Sequence, residues 1–240
     1  FNQILAFYVV ISQFAVGGTH HSMLKHTAET ANNKNLLGIV ILNGLLVSII
    51  LGALFYFLTY VLSAPLGRLY KSENFHKGIL YIAPGIFFYS INKVQLAALN
   101  GLSMLKHYSL GQILRSFLIL FSLSILIYLQ VSAPALAACF TITEMILFFI
   151  LLFFYILPIL KDSNIKISIP WGKAHLFFGL KSFISGVIME LNMRADVLIL
   201  GLFVDATMLG IYSFVAMIVE GIYNLLIVIR TTINPSLVIL

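Results

Sequence analysis

The sequence predicts an all-α integral membrane protein, a polytopic bundle of about seven transmembrane helices. Three observations predict it. Hydrophobic residues make up 61% of the chain and charged residues 9%, with a mean hydropathy of +1.06. A soluble domain cannot cover itself with so little polar surface. The apolar residues also come in runs of about 20, the length that crosses a bilayer core as a helix. Finally, the runs do not alternate: IVILNGLLVSIILGALFYFL is apolar on all sides. Alternation is what the strands of a membrane barrel require, and helices satisfy their own backbone groups in lipid.

The spans follow in order at 1–19, 37–62, 78–99, 109–130, 134–157, 175–203 and 207–229. The first ends at Gly17–Gly18 in FAVGGTHH, a glycine stop. SMLKHTAETANNKN (22–35) is polar and reads as a link. SAPLGRLYKSENFHKG (63–78) mixes proline, glycine and charge and reads as the next. QVSAP (130–134) and VDAT (204–207) are tight turns. PILKDSNIKISIPWGKAH (158–175) is the longest polar stretch and the best boundary between two bundles. Trp171 stands where an interfacial aromatic anchors the sixth span. The chain opens in FNQILAFYVV without Met and stops at NPSLVIL, so it is read as an internal fragment.

The net charge of +6 is read as basic cytoplasmic loops and not as a nucleic-acid surface. Lys25, Lys34, Lys106, Arg115, Lys161, Lys166, Lys173 and Arg230 fall on one side of the spans; Arg68, Lys71 and Lys77 fall on the other. The larger group is placed in the cytoplasm. The single cysteine, Cys139, excludes an internal disulfide.

Seven ionisable residues remain inside the spans: Lys93, Glu144, Lys181, Glu190, Arg194, Asp196 and Glu220. Each is costly against lipid, so each is expected to face a bundle interior or a wet cavity. Glu190 and Arg194 are four apart and share a helix face, so they can pair. Asp196 lies nearly opposite Arg194 on that helix and needs another partner. Lys181 and Lys93 are near enough to span ends to snorkel. Glu144 follows Thr141 and Thr143 and has no local cation. Glu220 is the loneliest charge. It shares one polar stripe with Ser213 and Asn224, and reads either as a proton-coupling carboxyl or as a neutral acid hydrogen-bonded across helices.

The sequence has no phosphate-cradling glycine loop, no dinucleotide fingerprint and no CxxC. His20 and His21 are adjacent, the wrong spacing for helical metal ligands, and His26 with Glu29 makes a poor metal pair. No nucleophilic triad is evident. No cofactor, metal site or catalytic residue is expected, and the chain is read as a transporter and not an enzyme.

Several stretches together carry a resemblance. LGRLYKSENFHKGILYIAPGIFFYSINKVQLAALNGLSMLKHYSLGQILR, LNMRADVLILGLFVDATMLGIYSFVAMIVEGIYNLL and FAVGGTHHSMLKHTAE resemble, in order and spacing, the Wzx-type polysaccharide and O-antigen flippases. These belong to the multidrug/oligosaccharidyl-lipid/polysaccharide (MOP) exporter superfamily. The resemblance implies a MOP/MATE-like two-lobe architecture of six helices per lobe, of which this chain holds helices two to eight. Residues 1–157 would then lie in the N-terminal lobe, 158–174 in a cytoplasmic inter-lobe linker, and 175–240 at the start of the C-terminal lobe. It implies a multi-pass protein of the bacterial inner membrane. The substrate would be an undecaprenyl-diphosphate-linked oligosaccharide repeat, destined for O-antigen, capsule or exopolysaccharide. It would be turned over by rocking of the lobes, with coupling to an ion gradient. Membrane lipids, a polysaccharide polymerase and chain-length machinery are the implied partners; nucleic acid is not. Arg194, Lys93 and Lys181 are the candidate substrate-binding cations. Arg194 leads, because a guanidinium grips phosphate oxygens bidentately. Glu190, Asp196, Glu220 and Glu144 are the candidate ion-coupling or cavity carboxylates. Three other readings stand beside this one: a cation antiporter of the same superfamily that uses Glu220 and Glu144, a polymerase or glycosyltransferase of polysaccharide assembly, and a structural membrane subunit.

Overall fold

A computed structural model of the chain describes residues 1–161, 163 and 165–238; the side chains of 185, 189, 190 and 224–238 fall outside that description. Glu190, Asn224 and Arg230 therefore lie outside the described side chains. The described residues are mostly helical and contain no strand.

The chain forms α1 (Asn2–Val16), α2 (Thr19–Thr30), α3 (Lys34–Leu69), α4 (Glu73–Gly101) and α5 (Leu105–Tyr128). A short 3-10 turn (Ala133–Ala137) leads into α6 (Ala138–Leu151). One π turn (Leu152–Ile156) leads into α7 (Leu157–Lys161), followed by α8 (Ile169–Leu200) and α9 (Ala206–Val238).

Gly17 and Gly18 do break the first helix, with φ of 53° and 69°. Only glycine takes two such left-handed residues in succession at little cost. The chain re-enters a helix at once. Thr27 and Thr30 fold their hydroxyls back onto the carbonyls of Met23 and His26 at 2.7 Å each. The polar stretch expected to be a link over 22–35 is therefore mostly α2, and only 31–33 is non-helical. The link expected over 63–78 shrinks in the same way to 70–72. Pro65 sits inside α3, and Ser72 caps α4 by accepting from the Phe75 amide. Of the link expected over 158–175, residues 158–161 belong to α7 and 169–175 to α8, so it is shorter as well.

Among the described residues, four helices are long and apolar enough to cross a membrane: Lys34–Leu69, Leu105–Tyr128, Ala133–Lys161 and Ala206–Tyr223. Seven spans were expected. α1 falls short because Gly17 ends it early. α4 falls short because Asn92, Lys93 and Gln95 dilute its apolar content, and α8 carries three residues whose side chains lie outside the described set. For α4 the packing supplies the reason. It lies against α1, α2, α3, α5 and α6, and its Asn92 and Gln95 are fully buried.

The distribution of side chains is inverted relative to a soluble protein. Ile50, Phe57, Leu120 and Phe154 point outward, Phe154 with 73% of its surface exposed. Ser12, Ser48, Ser90, Asn92, Thr143, Glu144 and His175 are buried. Lipid is as apolar as leucine, so such a bundle is held by close packing and interhelical hydrogen bonds. One close approach is at Gly18, where an added Cβ would lie 2.1 Å from the Gly179 carbonyl oxygen. Glycine here brings the α1–α2 break into backbone contact with α8. The apolar core between the helices joins Ile4, Tyr8, Phe75, Ile79, Ile82, Ile86 and Phe140 at one end. Met23, Leu37, Ile41, Val94, Ile156 and Leu160 form the other.

Asn43 ties the extended segment before α8 to α3. Its amide nitrogen donates to the Lys166 carbonyl at 2.9 Å, and its oxygen accepts from the Ser168 amide at 2.8 Å. Trp171 follows in the first turn of α8. Its ring meets the His26 imidazole edge-on at 5.3 Å, so it packs between helices α8 and α2.

Candidate functional site

α8 and α9 are joined by a short turn, and Asp205 caps α9 by accepting from the Thr207 and Met208 amides. The hairpin leaves a cavity of about 550 Å³ between the start of α1, the last third of α8 and the first half of α9. Its walls carry Asn2, Asn192, Arg194, Asp196, Tyr212, Ser213 and Glu220, with Leu5, Val197, Val215 and Val219 as the apolar part.

Three polar contacts cross this cavity. Arg194 Nη2 donates to Glu220 Oε1 at 2.7 Å. Tyr212 donates its hydroxyl to Asp196 Oδ2 at 2.5 Å. Asn2 Nδ2 donates to Ser213 Oγ at 2.6 Å. Arg194 and Glu220 are 18% and 24% exposed, which leaves the pair within reach of a solute.

Glu220, the loneliest charge in the sequence, is thus a partner of Arg194. The α8–α9 hairpin brings together what the chain separates. The partner that the sequence could not supply for Glu220 is therefore a guanidinium on the neighbouring helix. Asp196 finds its partner in Tyr212, on the next helix. Ser213 and Glu220 do share one stripe, and it faces the cavity.

Glu144 was expected to have no local cation, and Arg115 to belong to a cytoplasmic loop. Arg115 instead stands inside α5, and its guanidinium grips Glu144 on α6. Nε lies 2.9 Å from Oε1, and Nη2 donates to Oε2 at 3.2 Å. Asn92 Nδ2 on α4 donates to the same carboxylate and to the Glu144 carbonyl, both at 2.8 Å. The guanidinium lies over the Tyr89 ring at 4.9 Å. Glu144 is 2% exposed. This node fastens α4, α5 and α6 together and leaves no room for a solute.

The remaining candidates lie elsewhere. Lys181 is exposed on α8. Lys93 lies away from the α8–α9 cavity, with its ammonium 3.4 Å from the Tyr89 hydroxyl. Of the candidates, the structure gathers Arg194, Asp196 and Glu220 about one cavity. It separates Lys93, Lys181 and Glu144 from them. The residues that sequence reasoning missed are Arg115, Tyr212, Asn2 and Asn192. One signal was present for Arg115: a carboxyl buried mid-span without a nearby cation demands one from another helix.

A helical bundle with apolar residues outside, ion pairs inside and a charged cleft between helices is an α-helical membrane protein. The family described as polysaccharide biosynthesis protein matches residues 4–237, and the chain belongs to that family. That membership agrees with the resemblance drawn from the sequence. No curated protein and no solved structure matches the chain.

Proposed function

We propose that the protein is a transporter that turns undecaprenyl-diphosphate-linked oligosaccharide repeats across the bacterial inner membrane, as a multi-pass flippase of polysaccharide synthesis. The observation that carries this reading is the Arg194–Glu220 pair on the wall of a roomy, half-apolar cavity. An entering diphosphate competes with Glu220 for the guanidinium, which binds phosphate oxygens bidentately. The displaced carboxylate then takes up a proton or another cation. Release of the saccharide restores the pair. Such an exchange ties substrate occupancy to ion occupancy, the elementary step of coupled transport. The lobe of residues 1–157 and the lobe that begins at 175 rock about the 158–174 link. The lipid-linked saccharide, membrane lipid, the polymerase and the chain-length machinery are the proposed partners.

One observation favours a second reading. Among the described residues the cavity holds two carboxylates, Asp196 and Glu220, against one guanidinium. An antiporter of organic cations would use that excess of acid. The two are separated by Arg194→Ala. The flippase reading expects surface polysaccharide to disappear at normal protein level. Full display together with lost resistance to cationic drugs establishes the antiporter.

A further inference from the structure

A second hollow, of about 280 Å³, opens between α2, α4 and α5, lined by His20, His21, Lys93, Asn100, Tyr108 and Gln112. None of these six is an acid. Lys93 reaches the Tyr89 hydroxyl at 3.4 Å and lies over that ring at 5.7 Å, and no carboxylate pairs with it among the described residues. The Glu144 carboxylate is held by Arg115 and Asn92. The His20 and His21 rings lie with centroids 3.9 Å apart, and His20 Nδ1 is buried without a hydrogen-bond partner. Gln112 already serves two neighbours, donating to the Tyr108 hydroxyl at 3.2 Å and accepting from Arg115 at 3.4 Å.

An ammonium, two imidazoles and an amide thus share one hollow with nothing negative to meet them. Lys93 and His20 are half-buried and His21 is exposed at the mouth of the hollow, and a cation within a membrane bundle is favoured by a partner of opposite charge. The missing partner is an anion. We propose that His20, His21 and Lys93 form an oxyanion-binding site, for a phosphate or carboxylate group, separate from the Arg194 cavity. Lys93 supplies the charge. Each imidazole supplies one N–H without needing to be protonated, and Asn100 supplies a further amide donor.

The place of the hollow gives it a role, and that role rests on the flippase reading. Ala6 lines the Arg194 cavity, and His20 lies past the far end of α1. The ten helical steps from Ala6 to Val16 rise about 15 Å. One anionic group cannot touch both sites at once. A lipid-linked saccharide meets them in turn, so the site is a first or last station on the path. Its diphosphate or an acidic sugar carries the shared chemistry.

The test is equilibrium binding to the full chain in lipid nanodiscs, read by nitrogen NMR of labelled histidines. Inorganic diphosphate is titrated in one arm and glucuronate in the other. The His20 and His21 signals, assigned by His20→Gln and His21→Gln, are expected to move with one of them. Lys93→Gln should weaken that binding at least tenfold, while Lys93→Arg retains it. Arg194→Ala should leave both histidine shifts unchanged. Preference for diphosphate assigns the lipid-borne group, and preference for glucuronate assigns an acidic sugar. Histidine signals unmoved by either anion at millimolar concentration overturn the proposal. So does a Lys93→Gln variant that titrates as the native chain does. Binding at equilibrium requires no flipping. A chain that binds here and moves no saccharide sinks the flippase reading and leaves the site intact.

Discussion

Arg194 and Glu220 are 26 residues apart in the chain and 2.7 Å apart in space, on facing walls of α8 and α9. An exchange of the two keeps one guanidinium facing one carboxylate and leaves neither charge unpaired in the bundle. Exchanging the two residues, Arg194→Glu with Glu220→Arg, should therefore fold and insert normally. The melting temperature in detergent should stay within roughly 2–4 °C of the native value. Surface polysaccharide should still be lost, because the guanidinium now extends from the wrong wall. Display restored by the exchange would show that the pair is a fastening and not a site.

The Arg115–Glu144 node predicts the opposite pattern. Removing one partner leaves an uncompensated charge at a site where the carboxylate is 2% exposed. Arg115→Ala or Glu144→Ala should each cost about 3–5 kcal/mol. The double change Arg115→Met with Glu144→Leu should recover most of that loss, since apolar side chains need no partner. Denaturation in detergent, followed by tryptophan fluorescence or by size-exclusion recovery, checks the order of the three variants. A double variant less stable than either single one would contradict it.

Gly18 should tolerate no side chain. Its φ is 69°, and a Cβ there would strike the Gly179 carbonyl at 2.1 Å. Gly172, in the first turn of α8, has nothing within 4 Å of an added Cβ. Gly18→Ala should lower the amount of folded protein severely, and Gly172→Ala should not. Equal yields of the two in membranes would mean that the α1–α8 contact is looser than the distances indicate.

Asn43 holds the segment before α8 by two backbone hydrogen bonds, at 2.9 and 2.8 Å. Asn43→Leu keeps the volume and removes both. Limited proteolysis should then cut between Lys161 and Ser168 at least several-fold faster, while cutting at the 70–72 link stays unchanged. An unaltered rate at the first position would mean that other contacts hold the segment.

The helices were legible because apolar length alone sets them in a lipid solvent. Residues 37–62 fall inside α3 for that reason, and α5 covers all but the last two residues of the span expected at 109–130. The links were less legible. Thr27 and Thr30 look like loop residues by composition, yet their hydroxyls bond one turn back and the helix continues. The site was legible in its members and not in its pairs. Arg194, Asp196 and Glu220 stand out because a charge within a span needs a reason. Which charge meets which depends on how helices lie together, and periodicity along one helix does not carry that. Arg115 shows the limit most sharply. The rule that basic residues favour cytoplasmic loops moved it outward, when its partner Glu144 was holding it in.

The Gly17–Gly18 break has an electrical consequence. An unbroken span carries its partial charges, about half an elementary charge each, only at its two ends. Breaking the helix at Gly17 sets a carbonyl end and an amide end inside the bundle, beside the fully buried Thr19 and Ser22. The interior is therefore polarised by the backbone itself. Replacing every ionisable side chain would leave that field in place, and only closing the break into a continuous helix would remove it.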